Sequence, residues 1–342
     1  MEHITAQDYI KRLQTAMERN SRGPREIEAC CEYAGRLLDA RLPVLFDAAH
    51  VQSVLRLKEI DWNQAYHVFP ISQGVKTRTV TAPSLPLKTR QRWILTEILP
   101  RFEVSPRAHG FEPGRSIKTN AELHAGHEYA LCLDIHDFFP SIRKESVIRV
   151  FLEAGYSRGA SSALAEVCCF KKALPQGAPT SPRLSNIIFK ELDERLEAMA
   201  RRRGITYSRY ADDLTFSSHG GMGNILREVD RLLRSRGFLL NEEKVHFYGP
   251  GAPKRITGLV VQNGSVRVPK EYKRRLKQEI YYCKKYGVLT HLENTGSKKF
   301  VHYREYLYGK AYYIHMIEPE AGNIYLEELD QIRWPGFFAG EC

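Results

Sequence analysis

Apolar residues recur every three or four positions in two stretches near the start of the chain, which predicts amphipathic helices over 6–20 and 25–41. The second carries Ile27, Cys30, Cys31, Ala34, Leu37 and Leu38 on one face, and Ser21-Arg22-Gly23-Pro24 separates the two. Between His67 and Thr81 the pattern changes. Val68, Phe69 and Val80 flank Gly74-Val75-Lys76, a strand–turn–strand signal that Pro83 and Pro86 end. Helical spacing returns through Trp93, Ile94, Leu95 and Ile98 until Pro100 stops it.

Residues 129–135, Tyr-Ala-Leu-Cys-Leu-Asp-Ile, form a nearly apolar run that reads as a buried strand with one carboxylate, Asp134, near its end. Downstream, Ser181 is a suitable helix N-cap and Pro182 a suitable first helical residue. The helix they open places Leu184, Ile187, Ile188, Leu192, Leu196 and Met199 on one face. Residues 205–217 read as two strands around a tight turn at Ala211-Asp212-Asp213, followed by a helix over 224–236 and a strand near 255–262.

Composition sharpens the picture. The chain has 342 residues, 43% apolar and 27% charged, which suits a globular protein with one large core or a few subdomains. Lysine and arginine number 51 against 40 acidic residues, a net charge of +11, so a polyanionic partner is expected, either nucleic acid or an anionic membrane surface. The surplus is uneven. Between 268 and 310, eleven lysines and arginines face four acidic residues and interleave with Tyr272, Tyr281, Tyr282, Tyr286, Phe300, Tyr303, Tyr306 and Tyr308. That mixture suits a surface that follows a phosphate backbone and stacks on bases. The alternative is a solvated helix whose tyrosines face a core, since Tyr272, Leu276 and Ile280 share helical spacing.

No stretch approaches the ~18 apolar residues of a membrane span, and Met1-Glu2-His3-Ile4-Thr5 begins no basic-then-apolar leader. A cytoplasmic protein without a membrane partner is therefore expected. The seven cysteines are odd in number and lack Cys-x-x-Cys spacing, which speaks against a disulfide framework or a zinc ribbon.

Carboxylates in apolar surroundings are costly unless a cation compensates them. If the hairpin carrying Asp212 and Asp213 packs beside the strand ending at Asp134, three carboxylates converge. Hard oxygen ligands of this kind suit Mg²⁺, and two such ions can activate an attacking hydroxyl and stabilise a leaving pyrophosphate. Alone, an Asp-Asp turn is weak grounds, because turns favour aspartate for local hydrogen bonding.

The ordered set is more specific. Tyr210-Ala211-Asp212-Asp213 resembles the Y-x-D-D box of reverse transcriptases, and Leu133-Asp134-Ile135-His136-Asp137-Phe138-Phe139-Pro140-Ser141-Ile142 resembles the motif carrying their first catalytic aspartate. Leu174-Pro175-Gln176-Gly177-Ala178-Pro179-Thr180-Ser181-Pro182 is similar to their L-P-Q-G-x-x-x-S-P segment. Lys76-Thr77-Arg78-Thr79-Val80 resembles their triphosphate-binding fingers motif, and Gly110-Phe111 with Ser116-Ile117 fits the G-F-x-x-x-x-S-I pattern of bacterial members. The motifs run in order over about 66–260. Asn120-Ala121-Glu122-Leu123-His124 looks like the N-A-x-x-H motif of retron reverse transcriptases, and Ile256-Thr257-Gly258 their V-T-G motif with Ile in place of Val.

The resemblance implies an α+β right-hand polymerase: fingers, a palm of antiparallel sheet plus helices, and a small helical thumb. An N-terminal helical extension would occupy 1–45 and the fingers and palm 46–262, with fingers mainly 60–128 and 143–175 and palm mainly 129–142 and 176–262. The basic, aromatic-rich thumb and C-terminal region would fill 263–342, leaving no room for a ribonuclease H domain. By similarity Asp134, Asp212 and Asp213 are catalytic and hold two Mg²⁺ ions (Mn²⁺ as substitute), with the Ile135 carbonyl as a further ligand. Arg78, helped by Lys76, would clamp the triphosphate; Gln176 and Gly177 would line the nucleotide pocket; Lys244 would meet the leaving pyrophosphate. Phe139 falls at the aromatic steric gate, its alternative being a core position beside Phe138, and Asp137 is not expected to bind metal.

RNA contacts are expected from Asn120 and His124 through the family motif, and from Lys270, Lys273, Arg274, Lys277, Lys284 and Lys285. The implied reaction is RNA-templated DNA synthesis on a structured noncoding RNA that also primes from a guanosine 2′-hydroxyl, giving a branched RNA–DNA product. The implied partners are that RNA, the DNA product, deoxynucleoside triphosphates, a separately encoded effector protein in anti-phage defence, and a host ribonuclease H. Competing expectations are a diversity-generating or group II intron-like reverse transcriptase, and a catalytically silent RNA-binding scaffold on the same fold.

Overall fold

A computed structural model describes residues 5–73, 76–295 and 302–335, with side chains 72–78 outside the description. Ten strands occur among these residues: β1 Tyr66–Gln73, β2 Lys76–Pro83, β3 Tyr129–His136, β4 Thr206–Tyr210, β5 Asp213–Ser218, β6 Leu239–Leu240, β7 His246–Tyr248, β8 Lys254–Ile256, β9 Leu259–Gln262 and β10 Ser265–Arg267. The central sheet has the order β4-β5-β3-β6, with β7 pairing the same edge of β3. All its pairings are antiparallel.

Alternation decides what each face of this sheet meets. On β3, Leu131, Leu133 and Ile135 are buried in the larger apolar core, together with Leu214 and Phe216 of β5 and Tyr207 of β4. The helix Ser181–Arg201 closes that face with Leu184, Phe189, Leu192 and Leu196. Ala130, Cys132 and Asp134 project to the other face, beside their register partners Ser217, Thr215 and Asp213. One end of that open face therefore carries acid, and the other end is covered.

The cover is the segment around helix Ile117–Glu122, capped by a Ser116–Thr119 box, together with the β8–β9–β10 meander. The expected single strand over 255–262 is instead two strands broken at Thr257-Gly258, both at positive φ. Thr257 Oγ1 donates to the Ile117 carbonyl at 3.3 Å, so the break is fixed by a distant contact. Ile256, Leu259 and Val261 join a second apolar cluster with Leu276, Ile280, Leu307 and Ile314 of the helices Lys270–Tyr286 and Tyr303–Ile317.

The remaining elements follow the sequence reading closely. Helices occupy Ala6–Arg19, Pro24–Asp39, Leu85–Glu97 and Ile225–Arg234. Helix Ser181–Arg201 starts one residue earlier than expected: Thr180 is the cap position, and Ser181 Oγ instead donates to the Pro175 carbonyl at 2.8 Å. Among the described residues no helix is long and apolar enough to cross a membrane.

Candidate active site

Asp134 and Asp213 are direct register partners on β3 and β5, and Asp212 occupies the two-residue turn before Asp213. Carboxylate oxygens from all three lie within 4.8 Å of one another, as the convergence argument requires. The turn is tightly determined. Ala211 sits at φ 57°, rare for a residue with a Cβ. Arg209 Nη1 donates to the Ala211 carbonyl at 3.0 Å, and the Ile135 amide donates to the Asp212 carbonyl at 3.0 Å. Gly110 leans against the turn so closely that a Cβ there would stand 2.7 Å from the Ala211 nitrogen.

Three carboxylates this close repel one another; each pair at about 5 Å costs ~3 kcal/mol at an effective dielectric of about 20. Lys244 Nζ meets Asp134 Oδ2 at 2.5 Å, and Asn241 Nδ2 donates to Oδ1 at 3.2 Å. An all-oxygen acidic set with one ammonium against it is the donor chemistry of a hard divalent cation.

Asp134 and Asp212 line a cleft of about 950 Å³ that also takes in Ile135, Phe139, Gln176 and Lys244. Its roof is the β1–β2 hairpin. The Thr81 amide donates to the Gln176 carbonyl at 2.9 Å, and Gly177, at φ 141°, leaves space where a Cβ would lie 2.7 Å from the Thr81 oxygen. Lys76 and Arg78 have backbone positions on β2 opposite Gln73 and Ile71, but their side chains lie outside the described residues. Phe139 is half-buried, packs on Phe138 and Phe111, and faces the cleft, while Phe138 takes the core position. Asp137 is exposed, in the left-handed region at φ 47°, and outside the carboxylate cluster.

Residues 71–273 match the family described as reverse transcriptase (RNA-dependent DNA polymerase). The chain belongs to the reverse transcriptase family. Its similarity is to the retron branch. It is 39% identical over 222 residues to the Retron Ec86 reverse transcriptase of Escherichia coli, covering 64% of this chain and 69% of that one. Against the Retron Mx162 and Mx65 reverse transcriptases of Myxococcus xanthus it is 34% identical over 313 and 263 residues. Those alignments cover 81% and 71% of this chain but only 62% and 59% of the relatives. The α+β architecture with antiparallel sheets agrees with the fold expected of this reverse transcriptase.

Sequence reasoning missed the support beneath the Asp212 turn. Arg209 and Asp193 form an ion pair in which neither side chain is exposed. Arg209 gives Nε and Nη2 to the two Asp193 oxygens at 2.9 and 2.7 Å, gives Nη1 to Asn186 as well as Ala211, and stacks 4.5 Å over Phe189. Tyr207 donates to Asp193 at 2.7 Å, and its burial beside that carboxylate drives the phenol well above its ordinary pKa. Only the i, i+2 spacing of Tyr207 and Arg209, on the face of β4 that also carries the core, hinted at this role. Arg143 and Lys171 also line the cleft unannounced, brought there by the Arg143–Ala173 bridge.

The expected RNA contacts of Asn120 and His124 are corrected by burial, since neither side chain has surface to offer. His124 links Ser217 (Nδ1, 2.6 Å) and Ser208 (Nε2, 2.7 Å), and Ser208 donates to Asn120 Oδ1 at 2.8 Å. Each hydroxyl has one proton, so the order follows. Ser208 accepts from His124 Nε2–H, His124 Nδ1 accepts from Ser217, and Ser217 accepts from His127 Nδ1 at 2.8 Å. Burial pushes the His124 pKa down to about 3, which fits a neutral strut between the palm sheet and its cover.

The basic helix is divided. Lys270, Arg274 and Lys277 are exposed. Lys273 is tied to both oxygens of Glu318 at 3.0 and 2.9 Å, which spends its charge inside the protein. Lys284 bonds Gln331 at 3.0 Å, and Lys285 stands 5.1–5.4 Å over Tyr286 and Tyr281, still solvent-facing.

Proposed function

We propose that the chain copies a dedicated structured noncoding RNA into DNA, priming from a guanosine 2′-hydroxyl of that RNA to give a branched RNA–DNA product. The observation that carries this reading is the Asp134–Asp212–Asp213 cluster at the foot of a cleft roofed by β1–β2, in a chain 39% identical to a retron reverse transcriptase. Asp134, Asp212 and Asp213, with the Ile135 carbonyl, would hold Mg²⁺, for which Mn²⁺ is the natural substitute. When bound, such ions lower the pKa of the attacking hydroxyl and stabilise charge on the leaving pyrophosphate.

The chain's own residues do the rest. By the family resemblance Arg78 and Lys76 of β2 would serve the triphosphate, and Lys244 supplies positive charge beside Asp134. The Gln176–Gly177 backbone sets the floor on which a nucleotide lies, and Phe139 stands where a ribose 2′-hydroxyl would press. Exposed Lys270, Arg274, Lys277, Lys284 and Lys285 offer a track for RNA or heteroduplex backbone. The reading carries with it a bacterial cytoplasmic setting, removal of template by a host ribonuclease H, and an effector protein in anti-phage defence.

The test is to co-express the chain with its native flanking DNA, purify it, and add Mg²⁺ with labelled deoxynucleotides. A discrete DNA that stays attached to RNA until 2′,5′-debranching is the expected product. Asp212→Asn is expected to abolish it while RNA affinity stays within about twofold of the native chain, since that carboxylate serves chemistry rather than docking. Extension of an added primer without any branched product would remove the retron-specific part of the reading.

A further inference from the structure

The open face of the palm sheet ends, away from the acids, in a second polar pocket of about 120 Å³. Gly126, His127 and Glu128 line it just before β3; Gly251 and Lys254 line it at β8, and Gly264 at the β9–β10 turn. It is too small for a nucleotide, whose sites run to ~300 Å³ or more, and large enough for one phosphate group.

Lys254 is the anomaly. Its side chain belongs to a residue only 4% exposed, and lysines are seldom buried without a partner. No carboxylate and no hydrogen-bond acceptor among the described residues holds its ammonium. Glu128, the one acid lining the pocket, is exposed and forms no ion pair with it. His127 contributes a ring set edge-on to His219 at 4.7 Å. Burial first, and then the neighbouring His219 and Lys254, lowers the His127 pKa, so the imidazole is held neutral and Lys254 is the cation of the pocket.

We propose that this pocket takes a backbone phosphate of the bound RNA, with Lys254 as its cation. The assignment rests on the RNA-copying reading above. Tyr129, next in the chain to the pocket residue Glu128, lies five residue steps along β3 from Asp134, which at strand rise is roughly 17 Å. A strand leaving the cleft over the palm reaches the pocket, and the basic helix Lys270–Tyr286 follows the same meander.

The experiment uses the full chain and its Lys254→Met and Lys254→Arg variants, a fluorescent RNA hairpin with a single-stranded tail, and inorganic phosphate. Lys254→Met is expected to weaken hairpin binding about 5- to 10-fold and to lower the slope of log affinity against log salt by about one. Lys254→Arg is expected to keep most of the affinity. Lys254→Met is also expected to melt no lower than the native chain, because no ion pair among the described residues is broken and the apolar stem is kept. Unchanged RNA affinity and salt slope overturn the proposal. If only the stabilisation by inorganic phosphate is lost, the pocket is a free-phosphate site and the RNA assignment falls. A lower melting point in Lys254→Met that Glu128→Gln reproduces means the two residues pair in solution, which also overturns it. If the native chain binds no RNA, the functional reading fails, and the phosphate arm alone decides whether the pocket is an anion site.

Discussion

Replacing Asp193 by Ala removes the counter-charge of a guanidinium that has no access to water. Breaking a buried pair from one side costs ~3–5 kcal/mol, and a stranded buried hydroxyl adds ~1–3 kcal/mol. Here the stranded hydroxyl is that of Tyr207. The two costs overlap, because Arg209 keeps Asn186, the Ala211 carbonyl and the Phe189 ring. A loss of about 4–5 kcal/mol is expected, a large share of the ~5–15 kcal/mol that holds a typical domain folded. With a urea dependence of about 3 kcal/mol per molar, the unfolding midpoint falls by about 1.5 M. Far-ultraviolet dichroism in a urea series reads this directly.

A second variant separates stability from function. Asp193→Leu combined with Arg209→Met and Tyr207→Phe fills the same space without charge, and exchanges of that kind are often neutral or stabilising. It also deletes the Arg209 bond to the Ala211 carbonyl, so the turn carrying Asp212 loses its anchor. Most of the midpoint is expected to return while primer extension stays depressed at least tenfold. A loss under about 1 kcal/mol in Asp193→Ala, or a triple variant as unstable as the single one, would refute the reasoning.

Two further substitutions probe the roof and the strut. Gly177→Ala forces a Cβ to within 2.7 Å of the Thr81 oxygen at a φ of 141°, so the floor and hairpin must separate. The KM for deoxynucleotides is expected to rise at least tenfold in steady-state extension, and an unchanged KM sinks the contact's role. His124 is held neutral, its pKa lowered from 6.5 to about 3, so the unfolded chain binds the extra proton between those values. Stability from this site is complete above about pH 6.5, falls by about 2 kcal/mol at about pH 5, and continues to fall toward about pH 3. His124→Gln is expected to flatten that part of a urea-midpoint-against-pH curve, and equal slopes in the two proteins would count against the assignment.

What could be read from the chain was whatever local patterning controls. A near-apolar run with one acid at its end and a hairpin with an acidic turn raised the convergence of Asp134, Asp212 and Asp213 only as a condition, which the ordered set of family motifs made specific and the β3–β5 register then met. Where a residue's partner is distant in sequence, the same reading failed. Ser181 looks like a cap, yet its hydroxyl closes the loop onto Pro175. Ile256-Thr257-Gly258 looks like strand, yet Thr257 turns because Ile117 holds it. Arg209 drew no attention in the sequence, and only the arrival of the Ser181–Arg201 helix with Asp193 makes it a buried anchor.

Charge shows the distinction most sharply. Lys273 lies within the densest basic segment and is neutralised by Glu318, whereas Lys254 lies outside it, is only 4% exposed as a residue, and pairs with no acid among the described residues. A local surplus of lysine identifies a basic face of the molecule. A binding site needs the counter-charge to be missing, and that depends on which segments the fold brings alongside. Charge-neutral substitutions inside the basic run are therefore expected to weaken RNA binding by small, salt-screened amounts, and Lys254→Met by a larger one.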